Sequence, residues 1–201
     1  MAKQFDELRR LTQSNELEAD VRLVATEYLS LDGVFEEPGR WSFPFFSEEA
    51  AHFKWTELQA SDALLLGRKT YQGFAAAWPT MTGTGEFGER MNSMPKYVVS
   101  TTLDNVEWSG SKLIKGDVVG GVGRLKHEPG NDLLLSGSAQ LFNTLMEADL
   151  IDVYRLMVHS TLAGGGARLF SDAGLKKSLE LTDTKVFGSG IVVLEYQPAK
   201  K

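Results

Sequence analysis

Cysteine is absent from all 201 residues. That excludes disulfide bridges, a thiolate nucleophile and Cys-ligated zinc, and it is compatible with a reducing, cytoplasmic setting. Histidine is scarce too, and His52, His127 and His159 show no metal-ligand spacing. No metal site is therefore expected, and each histidine reads as a surface or packing residue, with His52 a minor candidate for lining a site. A basic excess is also lacking: 21 Lys+Arg stand against 27 Asp+Glu, a formal charge of −6. Nucleic-acid binding, which needs a cationic surface to neutralise phosphates, is not expected. No apolar run approaches the ~20 residues of a membrane span. The opening Met-Ala-Lys-Gln-Phe-Asp-Glu has no apolar core of a signal peptide. No G-x-S-x-G elbow of a serine hydrolase occurs. Gly121-Val122-Gly123 lies inside an expected helix rather than at a strand end, which disqualifies it as a dinucleotide fingerprint.

What is there is ordinary globular material, 42% hydrophobic and 24% charged. The length suits one domain. Residues 1–20 stand apart as a charged extension in which Phe5, Leu8 and Leu11 suggest a short amphipathic helix or a frayed leader. Residues 21–201 are expected to form the domain. Within it, apolar β-prone runs (21–29, 62–66, 96–100, 112–115, 132–135, 153–158) alternate with helical periodicity. Residues 79–93 read as a loop. The segments 179–187 and 191–196 flank Gly188-Ser189-Gly190 as a hairpin. This order predicts an α/β fold in three layers, with a mainly parallel central sheet and an antiparallel C-terminal hairpin.

In such folds ligands sit beyond the carboxyl ends of the strands, against helix N-termini. Three segments have that design. Gly67-Arg68-Lys69-Thr70 combines a close-approach glycine, two cations and a hydroxyl, although a tight turn with exposed cations would read the same. Ser100 and Thr101 end a strand with hydroxyls suited to a phosphate or to a polar turn. Gly137-Ser138-Ala139-Gln140 links a buried strand to an amphipathic helix, with Ser138 placed either to meet a pyrophosphate or simply to cap. The loop 34–46, carrying Phe35, Trp41, Phe43, Phe45 and Phe46, is too aromatic to lie free in water and should cover something.

The stretches S-L-D-G-V (30–34), L-L-G-R-K-T-Y (65–71), P-K-Y-V-V-S (95–100), L-L-L-S-G-S-A-Q-L (133–141) and L-A-G-G-G-A-R-L-F (162–170) occur in a fixed order. Together they resemble the dihydrofolate-reductase-like proteins, and among these the reductase domain of riboflavin-biosynthesis deaminase-reductases. The resemblance implies a dihydrofolate-reductase-like fold, NADPH as cofactor and a homodimer. Gly67, Arg68, Lys69 and Thr70 would meet the pyrophosphate and adenosine side, Ser100 and Thr101 the 2′-phosphate, and Gly137, Ser138, Ala139 and Gln140 the nicotinamide and pyrophosphate. Relatives often carry a basic residue where this chain has Thr101. By the same resemblance Asp32 of S-L-D-G, or Glu49 of Glu49-Ala50-Ala51-His52-Phe53-Lys54, would serve catalysis, with Trp41 and Phe35 as substrate-side lid residues. Locally, Asp32 is also a plausible turn aspartate and Glu49 an ordinary partner of a helix dipole.

The expected activity is NADPH-dependent reduction of a small heterocyclic or ribosylamino-pyrimidine substrate. The alternatives are dihydrofolate reduction, a non-catalytic nucleotide-binding module, and an assembly protein docking through residues 1–20.

Overall fold

The computed structural model describes residues 21–170 and 176–199; the expected N-terminal helix lies outside them. The strands are β1 (Leu23–Ser30), β2 (Ser61–Gly67), β3 (Lys96–Val99), β4 (Ser111–Ile114), β5 (Asp132–Leu135), β6 (Val153–His159), β7 (Leu179–Val186) and β8 (Val192–Pro198). The helices are α1 (Glu48–Gln59), α2 (Arg68–Ala77), α3 (Gly85–Ser93), α4 (Val118–Lys126) and α5 (Ala139–Glu147). One eight-stranded sheet has the order β4-β3-β2-β5-β1-β6-β8-β7. Strands β1 to β6 run parallel, and β8 and β7 close the sheet antiparallel.

The central strands are apolar on both faces because helices cover both. Leu133 and Leu135 of β5 enter a core with Val122 of α4 and Leu141, Phe142 and Leu145 of α5. Leu134 points the other way, into a core with Leu58 of α1, Tyr71 of α2 and Met91 of α3. A three-layer α/β sandwich results, as the alternation of elements predicts.

One expectation fails. Residues 79–93 are not all loop, since Gly85–Ser93 forms α3, with Gly88 and Met91 buried. Two glycines in a nine-residue helix erase half of its apolar stripe, and only Phe87 and Met91 remain to mark the inner face. Tertiary packing overrides the weak local propensity. The helix end is secured from β3. The fully buried Lys96 donates from Nζ to the carbonyls of Asn92 (3.0 Å), Met94 (2.7 Å) and Ser109 (2.9 Å) and sits over the Trp108 ring. These are helix-terminal and turn oxygens that would otherwise lack donors.

Candidate nucleotide-binding cleft

Because β1 to β6 are parallel, their carboxyl ends lie along one edge. The chain moves outward from β1 through β2, β3 and β4 and then returns to β5, so β5 sits between β1 and β2. Ala25, Leu65 and Leu135 are in register. Two residues further on, Glu27, Gly67 and Gly137 reach the same level on three adjacent strands. There β5 has already ended, while β1 continues to Ser30. The early stop opens a notch at the reversal of strand order, the place where open α/β sheets take ligands.

Backbone closeness shapes this notch. Gly67 N–H donates to the Gly137 carbonyl at 3.0 Å. A Cβ on Gly67 would lie 2.8 Å from the Ser138 nitrogen, and one on Gly137 would lie 2.5 Å from Thr70 Oγ1. Gly137 also has φ +57, and the Gly137–Ser138 peptide is cis. Only glycine fits either place. The structure thus brings Gly67, Thr70, Gly137 and Ser138 together. Helices α2 and α5 both begin here, capped by Gly67 and Ser138. Neither cap makes a side-chain hydrogen bond, and neither first turn holds an acidic residue. The ordinary capping role open to Ser138 is therefore not made, and two positive helix ends remain uncompensated at one edge. Such an arrangement suits an anion. Ala139 and Gln140 lie in the first turn of α5, with Gln140 exposed.

The other sequence candidates take varied places. Arg68 and Lys69 are exposed at the start of α2, and Arg68 Nη1 reaches Gln72 Oε1 at 3.5 Å. Ser100 is buried beyond β3, and its Oγ accepts from the Thr102 and Leu103 N–H groups at 3.1 and 3.0 Å, a polar turn; Thr101 beside it is exposed. Asp32 follows β1. Its Oδ1 accepts from Ser30 Oγ (2.5 Å) and Ala163 N–H (3.0 Å), and its Oδ2 from Gly164 N–H (2.9 Å). The Ser30 hydroxyl and the two backbone donors hold its carboxyl down to about 2. Asp32 thereby ties the triple-glycine segment to the β1 turn. Glu49, exposed at the start of α1, accepts from Gly188 N–H at 2.8 Å and anchors the β7–β8 hairpin turn. Asp32 and Glu49 hold different loops and share no partner.

The aromatic loop is seated rather than free. The rings of Tyr28, Trp41 and Phe45 surround buried His159 at 5.1, 5.3 and 5.8 Å, at the carboxyl ends of β1 and β6. Burial pushes the His159 imidazole down, which favours its neutral form. Phe35 is partly buried and packs against the core, whereas Phe43 and Phe46 are 75% and 73% exposed. His52 is exposed on α1.

Glu27 is the residue that sequence reasoning passed over. It is buried in the middle of β1, and its Oε1 accepts from Gly137 N–H at 2.7 Å. The second carboxyl oxygen makes no hydrogen bond to a described residue. Desolvation by burial pushes this carboxyl up to about 8, against the opposing pull of the Gly137 N–H and of Lys54. The signal was an acid inside an otherwise apolar strand, Val24-Ala25-Thr26-Glu27-Tyr28-Leu29, since a buried carboxyl is costly without a partner. On the opposite face of β1, Lys54 pairs with Glu57 and donates to Thr26 Oγ1 (2.8 Å). Arg155 of β6 reaches Glu57 (3.4 Å) and Glu195 (2.6 Å). Among the described residues no group of three or more His, Asp or Glu is placed to hold a metal, and no helix is long and apolar enough to cross a membrane.

The eight-stranded, mainly parallel sheet with helices on both faces and an antiparallel C-terminal pair is a fold of the dihydrofolate-reductase type. Dihydrofolate reductase from Enterococcus faecalis, complexed with NADP(H) and RAB-propyl, superposes with a TM-score of 0.62 over 89% of this chain and 97% of that one, at 14% identity. A Shewanella sp. PV-4 protein provisionally assigned to riboflavin biosynthesis superposes with a TM-score of 0.73 over 90% of this chain and all of that one, at 19% identity. In sequence, residues 22–193 match the RibD C-terminal domain family, and the chain belongs to that family. The Bacillus subtilis (strain 168) protein YyaP, itself uncharacterised, is 30% identical over 142 residues, 69% of this chain and 75% of that protein.

Proposed function

We propose that the protein is an NADPH-dependent reductase of a small heterocyclic or ribosylamino-pyrimidine substrate, of the kind that reduces 5-amino-6-(5-phosphoribosylamino)uracil in riboflavin biosynthesis. The observation that carries this reading is the Gly67–Gly137 notch. A Cβ on Gly67 would collide with Ser138 and one on Gly137 with Thr70, so only glycines let the two strand ends meet this closely, and two uncapped helix N-termini flank the meeting point. Membership of the RibD C-terminal domain family supports it.

The residues present fit a phosphorylated dinucleotide. Gly67 and Gly137 admit backbone approach, and the first N–H groups of α2 and α5 offer donors to a pyrophosphate. Arg68 and Lys69 supply mobile positive charge, while Thr70, Ser138 and Gln140 add neutral donors. Ser100 shapes the turn that would lie beside the 2′-phosphate, and Thr101 lends it a hydroxyl. When bound, NADPH supplies the hydride, and the protein supplies position and enclosure. Trp41 and Phe45, braced on His159, keep the aromatic loop over the ends of β1 and β6, where it excludes water. Asp32 acts through its loop, fixing Ala163 and Gly164, and Glu49 fixes the hairpin beside α1. Residues 21–201 form the reductase domain, and the working form is a cytoplasmic homodimer.

The test is titration of the purified protein with NADPH, followed by nicotinamide fluorescence and thermal shift. Saturable binding in the micromolar range with a raised Tm is expected. No binding at millimolar cofactor sinks the reading.

A further inference from the structure

Glu27 is placed like no other acid in the described residues. It stands level with Gly67 and Gly137 across β1, β2 and β5, where β5 has stopped. One carboxyl oxygen holds the N–H of Gly137, the residue that turns the chain into α5, and the other has no hydrogen-bonding partner among the described residues. An acid in that position, 5% exposed, is costly to the fold. Its chemistry points to the group that changes charge in a reductase. The nicotinamide ring is neutral in NADPH and cationic in NADP⁺.

We propose that Glu27 makes cofactor binding depend on redox state. It is a neutral carboxylic acid in the free and NADPH-bound protein and a carboxylate in the NADP⁺ complex, so that NADP⁺ binding releases one proton from this side chain. This rests on the nicotinamide-reductase reading. The proton balance is simple: the protein with Glu27 protonated, plus NADP⁺, gives the complex with Glu27 ionised, plus H⁺. No bond of the cofactor changes.

The surroundings permit the switch. Burial pushes the free carboxyl up to about 8, so it holds its proton at pH 7. The charged groups around it are Lys54 and Glu57 of α1, which pull in opposite directions. Beyond them Arg155 of β6 is already paired with Glu57 and with Glu195 of β8. The first turn of α5 holds no acid. No unpaired cation among these neutralises Glu27 before a pyridinium arrives.

The experiment needs no substrate. NADP⁺ is added to the weakly buffered full-length protein with a pH indicator, and NADPH serves as the control because it carries the same 2′-phosphate. At pH 7 NADP⁺ should release roughly one proton per site more than NADPH, and the difference should vanish by pH 9, where Glu27 is already ionised. Between pH 6 and 8 the ratio of NADP⁺ to NADPH affinity should rise by up to about tenfold per pH unit. Glu27→Gln keeps an acceptor for Gly137 N–H and should abolish both effects. Binding of both nucleotides with equal proton release overturns the Glu27 proposal and leaves the reductase reading intact. Binding of NADPH without NADP⁺ overturns the Glu27 proposal alone, and failure of both nucleotides to bind overturns both. If E27Q does not fold, the wild-type difference in proton release decides alone.

Discussion

At the scale of single residues, two acids five positions apart behave oppositely because their environments differ. Glu27 is buried with one donor, and Asp32 is partly exposed with three. Asp32 holds the Ser30 hydroxyl and the N–H groups of Ala163 and Gly164, so its effect should be mechanical. Asp32→Ala leaves those donors to water and frees the glycine segment. A Tm lower by about 2–5 °C is expected, with faster amide exchange at Ala163 and Gly164 and little change at α5. Because the folded carboxyl is depressed to about 2, its contribution is present above the unfolded value of 3.8 and is lost as pH falls through 2. Thermal scans between pH 5 and 2 should show a steeper acid loss in wild type than in D32A. Equal slopes would mean that the carboxylate is not the anchor.

At the scale of elements, the contact between the ends of β2 and β5 is the critical joint. Gly67→Ala places a methyl 2.8 Å from the Ser138 backbone nitrogen, which cannot rotate away. The strand ends must part, at a cost of about 1–3 kcal/mol, and NADPH affinity should fall at least tenfold. Gly73→Ala is the matched control: in the middle of α2, with nothing within 4 Å of the new methyl, it should stabilise by about 0.5–1 kcal/mol and leave NADPH binding unchanged. Denaturant unfolding and NADPH fluorescence measure both variants, and equal effects of the two would refute the joint. Elements of this kind were legible in the sequence where periodicity was strong. The Leu133-Leu134-Leu135 run, the α5 stripe and the C-terminal hairpin all lie where the pattern puts them. Helix α3 was hidden by Gly85 and Gly88. The meeting of Gly67 with Gly137 was legible only as two separate glycine turns, because close approach belongs to the register between strands and not to either segment. Glu27 was missed for a related reason. Its significance comes from the point at which β5 ends, and nothing in β1 records that.

At the scale of the whole molecule, the raised carboxyl of Glu27 should appear in the pH dependence of folding. A carboxyl that titrates near 8 when folded and 4.5 when unfolded binds more protons in the native state between those values. Unfolding free energy contributed by this group therefore falls as pH rises from about 4.5 to 8 and is flat beyond. The largest swing the shift allows is about 4–5 kcal/mol, an upper bound because water entry and local relaxation soften burial costs. His159 works the other way. Its depressed imidazole means that the unfolded chain takes up a proton first, so stability from this residue rises with pH through about 6.5. The two slopes oppose each other below about pH 6.5, and wild type alone would show a muted profile there. The difference between wild type and Glu27→Gln removes the histidine and every other shared group. Urea unfolding of both proteins at pH 5, 6, 7 and 8 should show E27Q becoming progressively more stable relative to wild type as pH rises, by 1–4 kcal/mol across the range. Saturating NADP⁺ should reduce that divergence, because a cationic ring stabilises the wild-type carboxylate, and saturating NADPH should not. A constant offset between the two proteins at every pH would show that Glu27 is ionised throughout and that its burial is carried by Lys54 instead.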